Sequence, residues 1–114
     1  MKRENIVLCL LNETVIINSR KISEIFFDLK HINYGWDKER CDYNHGPRRN
    51  SFFEADVVAL FEQLNTLVQV PFAQKVNLKS VDQRYVFYVY DGDRRLKMVV
   101  DFMKNNSTVV VTIH

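Results

Sequence analysis

The stretch Tyr43-Asn44-His45-Gly46-Pro47-Arg48-Arg49-Asn50-Ser51 gathers one imidazole and two guanidinium groups in a short span. Arginine grips phosphate through a two-pronged fork of N–H donors. Histidine titrates nearest neutrality, which suits it to carry a proton at physiological pH. Gly46-Pro47 stiffens the turn that presents these groups. A predicted helix start follows at once, and there free backbone N–H groups and the macrodipole favour an anion. A phosphate anchor beside a proton carrier is what RNA cleavage by the neighbouring 2′-hydroxyl requires. A base takes the hydroxyl proton, cations stabilise the phosphorane and an acid protonates the leaving oxygen, with no metal needed. The plainer reading makes Arg48 and Arg49 solvated loop charges, or ion-pair partners of Asp42 or Glu54, and His45 an ordinary loop histidine.

The elements around this segment must position it. On the far side of the loop, Ser51 followed by Glu54 matches a capping box. Phe53, Val57, Leu60, Phe61 and Leu64 then form the buried stripe of a helix running to about Leu67, before Pro71. On the near side, Ile22, Ile25, Phe26 and Leu29 fall at helical spacing, which predicts a first helix from Ser19 to near Ile32. Asn33, Tyr34 and Gly35 supply its stop. His31, at the end of that helix, is better suited to complement the dipole than to catalyse. From Gly35 to Asn50 periodicity vanishes, and long ordered loops in small domains are disproportionately functional. Trp36, the only tryptophan, is expected to pin this loop to the core. Any chemistry should therefore lie in, or face, His31 to Ser51.

The C-terminal half reads as β-structure. Lys75–Ser80 is a plausible edge strand and Arg84–Tyr90 is strongly β-prone. Asp91-Gly92 is a turn signal. Arg95–Phe102 alternates Leu96, Met98, Val100 and Phe102 against Lys97, Val99 and Asp101. Asn105-Asn106 makes the next turn and Thr108–Ile113 the last strand. Before all this, Ile6–Leu11 and Thr14–Ile17 are two apolar runs split by Asn12-Glu13, read as a short hairpin or, over the first run, a buried helix. The expected architecture is one α+β domain over 1–114: two helices packed on one face of an antiparallel β-meander of three to four strands. Phe53, Phe61, Leu64, Leu96, Met98 and Val100 should be the costliest side chains to truncate.

The sheet offers partners for the loop. Arg84, Tyr88 and Tyr90 share one strand face, with Tyr85 and Phe87 on the other. If the first face is open, it can stack a base and hold a phosphate; otherwise these tyrosines cover the edge of the core. Arg94, Arg95 and Lys97 form a basic hairpin beside Asp91 and Asp93, read as a solvated turn. Thr112 and His114 point to one side of the last strand.

Composition bounds the alternatives. The chain has 114 residues, room for a single core. Its hydrophobic fraction of 46%, with eight Phe and five Tyr, excludes a disordered chain. Sixteen basic against fourteen acidic residues leave a net charge of +2, so only a local concentration of charge can recruit nucleic acid. No apolar run approaches a membrane span, and Ile6–Leu11 is too short for a signal segment, so a cytoplasmic location without membrane association is expected. Cys9 lies in an apolar run and Cys41 in a polar loop, and both are expected as free thiols. There is no metal-ligand spacing, P-loop, dinucleotide fingerprint or paired-carboxylate motif, so neither metal nor cofactor is expected.

The order of histidine–arginine segment, capped helix and antiparallel sheet ending on Val109-Val110-Val111-Thr112 resembles the small RNase-toxin superfamily that includes RelE, BrnT and colicin-type tRNA nucleases. The resemblance spans roughly residues 43 to 113 and leaves the N-terminal segment outside it. It implies a metal-independent endoribonuclease toxin with His45, Arg48 or Arg49, and Thr112 in the catalytic site, RNA as substrate, and a cognate antitoxin or other protein partner. A non-catalytic protein-binding module of immunity or adaptor type is the alternative. A plain nucleic-acid binder is disfavoured by the near-balanced charge.

Overall fold

The computed structural model describes residues 5–34, 36–37, 39, 42–43, 52–65, 70–71 and 80–114. Along the chain these form β1 (Ile6–Ile17), β2 (Arg20–Asp28), α1 (Leu29–Tyr34), β3 (Trp36–Asp37), β4 (Asp42–Tyr43), α2 (Glu54–Glu62), a 3₁₀ turn (Gln63–Asn65), β5 (Val70–Pro71), β6 (Val81–Asp91), β7 (Arg94–Met103) and β8 (Thr108–Ile113). Six strands make one sheet in the order β1-β2-β8-β7-β6-β5. The expected α+β class is observed, and β6-β7-β8 is an antiparallel meander. The whole sheet is wider and mixed, because β2 joins β8 in parallel.

The N-terminal segment departs most from expectation. The two apolar runs form neither a hairpin nor a helix: Ile6 to Ile17 is one strand, and the register with β2 shifts between Leu10 and Val15. The predicted first helix is mostly β2, and only Leu29–Tyr34 is helical. Ile22, Ile25 and Phe27 are the buried apolar positions of β2. Strict alternation would not bury both Ile22 and Ile25. The phase slip beside the β1 irregularity produces a three-residue interval that mimics a helical stripe. Ser19 does not open a helix. Asn18 and Ser19 have φ of 48° and 68° and close a two-residue turn between the paired Ile17 and Arg20, the pattern of a type I′ hairpin. Asp28 starts α1 instead, its Oδ1 accepting the His31 N–H at 3.0 Å. His31 does lie in the last turn of that short helix.

The second helix is shorter than expected and starts later. Its N-cap is Phe53, not Ser51, and the Phe53 N–H donates to Asp56 Oδ2 at 2.8 Å. It ends at Glu62 and tightens into the 3₁₀ turn through Asn65, short of Leu67. Val57, Val58, Leu60, Phe61 and Leu64 are buried, but Phe53 is 73% exposed and Phe52 takes the core position. Two reciprocal bonds hold Phe52 there: the buried Asn33 side chain accepts the Phe52 N–H at 2.9 Å and donates to its carbonyl at 3.0 Å. The end of α1 is thereby tied to the entry of α2 on the far side of the loop. Within that loop, Trp36 pairs with Tyr43 and Asp37 with Asp42, so it contains a two-stranded ladder that lack of periodicity concealed. The side chain of Trp36 and the expected edge strand over residues 75–79 lie outside the described residues.

The main sheet curls until its ends approach each other. Asn18 Nδ2 at the β1–β2 turn donates to Tyr85 Oη on β6 at 2.6 Å, and Arg20 meets Asp82 at 3.1 Å. α2 and the 3₁₀ turn bridge the remaining gap. Glu62 and Asn65 bond to the backbone of β1 at Glu13, Thr14 and Ile16, while the Gln63 amide exchanges two bonds with the backbone of Tyr90 on β6. Inside the curl lie Ile17, Ile25, Phe27, Phe61, Phe87, Leu96, Met98, Val100, Phe102 and Ile113. Each such large side chain contributes on the order of 1.5–3 kcal/mol when fully buried.

Candidate functional site

Three of the expected catalytic residues, His45, Arg48 and Arg49, lie outside the described residues. The chain re-enters the described structure at Phe52, whose ring sits 5.9 Å from the Arg94 guanidinium at the tip of the β6–β7 hairpin.

The hairpin and the neighbouring β8 carry the remaining candidates on one face. Tyr85, Phe87 and Val89 point into the core, which leaves Arg84, Val86, Tyr88 and Tyr90 on the opposite face. Register then sets their neighbours. Arg84 lies beside Asp101 and Val109, Val86 beside Val99 and Thr112, Tyr88 beside Lys97, and Tyr90 beside Arg95. Thr112 thus sits between the Arg84 and Tyr88 rows. His114 exchanges backbone bonds with Lys97 at 2.8 and 2.9 Å and continues the Tyr88 row.

Arg84 and the two tyrosines differ in what they offer. The Arg84 guanidinium forms a bidentate pair with Asp101 at 2.5 and 2.7 Å, and Asp101 is only 4% exposed. The hydrogen bonds that Arg84 donates to Asp101 push the guanidinium further above its ordinary pKa, against the effect of burial, so Arg84 stays charged and engaged. Tyr88 and Tyr90 are 40% and 47% exposed. The Arg95 guanidinium lies 4.8 Å from the centre of the Tyr88 ring. A ring with a cation stacked on it is a surface on which a base can stack while phosphate is held nearby. Arg95 and Lys97, read from sequence as part of a solvated turn, belong to this face. Counting outward from a two-residue Gly92-Asp93 loop would have found them, because it sets 95 against 90 and 97 against 88. The observed turn is centred there, one residue beyond the expected Asp91-Gly92, with Asp91 paired to Arg94 and Gly92 at φ +61°.

Beside Tyr90, a groove of about 290 Å³ runs between α2 and the hairpin, lined by Phe52, Asp56, Leu60 and Gln63 among others. Two carboxylates near it are engaged, Asp56 with the Phe53 N–H and Asp91 with Arg94 at 2.9 Å. Among the described residues no group of three or more His, Cys, Asp or Glu side chains is placed to hold a metal. Cys9 is a free thiol whose pKa is raised, first by burial and then by the charge of Glu54. No helix among the described residues is long and apolar enough to cross a membrane.

Comparison with protein-family models, with curated proteins and with solved structures found no match to this chain.

Proposed function

We propose that this chain is a small metal-independent endoribonuclease of the toxin type, with RNA held on the outer face of the β6–β7 hairpin. His45 is the proton carrier, Arg48 and Arg49 hold the scissile phosphate and Thr112 lies on the same side as the substrate. The observation that carries the reading is the exposed Tyr88–Arg95 stack next to Tyr90, on the hairpin whose tip touches Phe52. Base stacking on aromatics tolerates many sequences and is worth about 1–3 kcal/mol per base. Lys97 adds a cation along the same rows. Arg84, held by Asp101, organises the sheet beneath the substrate rather than gripping phosphate. A cognate antitoxin or another protein partner would cover this face.

Fluorescence anisotropy with a short single-stranded RNA tests the binding half. Tyr88→Ala and Arg95→Ala should each weaken binding about tenfold, and added salt should weaken binding by the wild-type chain. Equal affinity in all three proteins would remove the hairpin from the account.

A second reading, a non-catalytic protein-binding module of the immunity or adaptor type, has a specific observation on its side. Arg84 is already neutralised by this chain's own Asp101, and Phe53, Leu8 and Leu10 are exposed. It requires a single stoichiometric protein partner and no RNA cleavage at any protein concentration.

A further inference from the structure

We infer that the Ile6–Leu11 half of β1 pairs edge to edge with the same segment of a second copy of this chain. β1 is the first strand of the main sheet, so among the described residues one side of it has no neighbouring strand. The fold caps only part of this edge. From Glu13 to Ile16, Glu62 and Asn65 take up the outward N–H and carbonyl groups. Across the gap, Gln63 caps β6 in the same way at Tyr90, beyond its short pairing with β5. Among the described residues, nothing equivalent serves Ile6 to Leu11. Open N–H and carbonyl groups on a strand edge are a template for another strand, and proteins that keep an edge unpaired blunt it with charge, proline or a bulge. Asn5 to Asn12 reads NIVLCLLN, with no charge and no proline. The irregularity in β1 falls between Leu10 and Val15, at the far end of this run, and leaves Ile6 to Leu10 in regular register with β2.

The side chains point to the same occupant. Leu8 and Leu10 are 50% and 74% exposed on the outer face of the strand. An antiparallel pair related by a twofold axis near Cys9 sets Leu8 of one copy beside Leu10 of the other, twice, and covers all four. No like charges meet, because the segment carries none. A charged partner would find nothing here to recognise, whereas a strand as apolar as this one finds both a hydrogen-bonding ladder and an apolar row. The interface closes on itself, so it gives a dimer with one continuous sheet rather than a fibre. It lies on a different strand from the RNA-binding hairpin, and its test does not depend on RNA.

Sedimentation of the full chain across a wide concentration range tests it, with circular dichroism to verify folding. The wild type should form a dimer as concentration rises, and Leu10→Lys should remain monomeric with an unchanged spectrum. Leu8→Lys should behave the same way and replaces Leu10→Lys if that variant does not fold. Ile16→Lys is the control: Ile16 is 54% exposed on the same face, but its backbone N–H is already bonded to Asn65, so its dimer should persist. A wild type that stays monomeric to millimolar concentration overturns the proposal. So does a dimer that survives both leucine substitutions, or one that Ile16→Lys abolishes equally.

Discussion

Arg84 and Arg95 show how one side-chain type takes two roles on one sheet. Arg84 is 20% exposed at its side chain and locked to a buried carboxylate; Arg95 is exposed and lies over an aromatic ring. Removing only one partner of a buried pair leaves an uncompensated charge, which costs about 3–5 kcal/mol, whereas replacing both with apolar groups costs far less. Arg84→Ala should therefore lower the stability measured by urea unfolding by about 3 kcal/mol, and Arg84→Met combined with Asp101→Leu should recover most of it. If Arg84→Ala is neutral for stability, the pair is not the organising contact described above. The thiol of Cys9, held in its neutral form by burial and by Glu54, should be alkylated at pH 8 more slowly than an unperturbed cysteine in a Cys41→Ser background; equal rates would contradict that environment. Sequence alone placed Arg84, Tyr88 and Tyr90 on a shared face, because strand alternation is unambiguous once Tyr85 and Phe87 are taken as core. It could not foresee that Asp101 would claim Arg84, since that depends on which strand lies alongside.

At the level of elements, the hairpins are fixed by backbone conformations that few residues favour. Ser19 sits at φ 68°, a region that strains side chains other than Gly and Asn. Ser19→Gly should therefore stabilise the chain by about 0.5–1 kcal/mol, the relief being partly offset by greater freedom in the unfolded state. Gly92 sits at φ +61° with open space around the position a Cβ would take, so Gly92→Ala should cost about 1 kcal/mol through backbone strain alone. Thermal unfolding of the two variants checks both signs, and a stabilising Gly92→Ala would contradict the turn assignment. These elements were unequally legible. β6, β7 and β8 could be read because Leu96, Met98, Val100 and Phe102 alternate without interruption between clear turn residues. β2 could not, because its phase slip placed Ile22 and Ile25 three apart, and Asn18-Ser19 passes equally for a helix cap or a hairpin turn. The true N-cap of α2 was missed for a related reason: Ser51 and Glu54 fit a capping box in sequence, but Asn33 draws Phe52 into the core and moves the start of the helix to Phe53.

Over the whole molecule, a curled six-stranded sheet is closed by one short helix whose last turns bond to β1 on one side and β6 on the other. Stability should therefore concentrate at that closure. Phe61→Ala, fully buried there, should cost about 3–5 kcal/mol, while Phe53→Ala, exposed, should stay within about 0.5 kcal/mol of the wild type. Urea midpoints separate the two, and comparable losses would place the helix the other way round. The broad class and single core were readable from composition and from the C-terminal pattern. The closure was not, because it rests on Glu62, Gln63 and Asn65 reaching strands far away in sequence. That closed body presents the Tyr88–Arg95 face on the hairpin whose tip meets Phe52, and the ribonuclease proposal depends on that face and the histidine–arginine segment acting together. The most direct test is incubation of single-stranded RNA with the purified chain in excess EDTA, with product ends identified by mass. The account predicts cleavage that leaves 2′,3′-cyclic phosphate and is lost in His45→Ala with the fold intact; no cleavage by the wild type, or undiminished cleavage by His45→Ala, would contradict it.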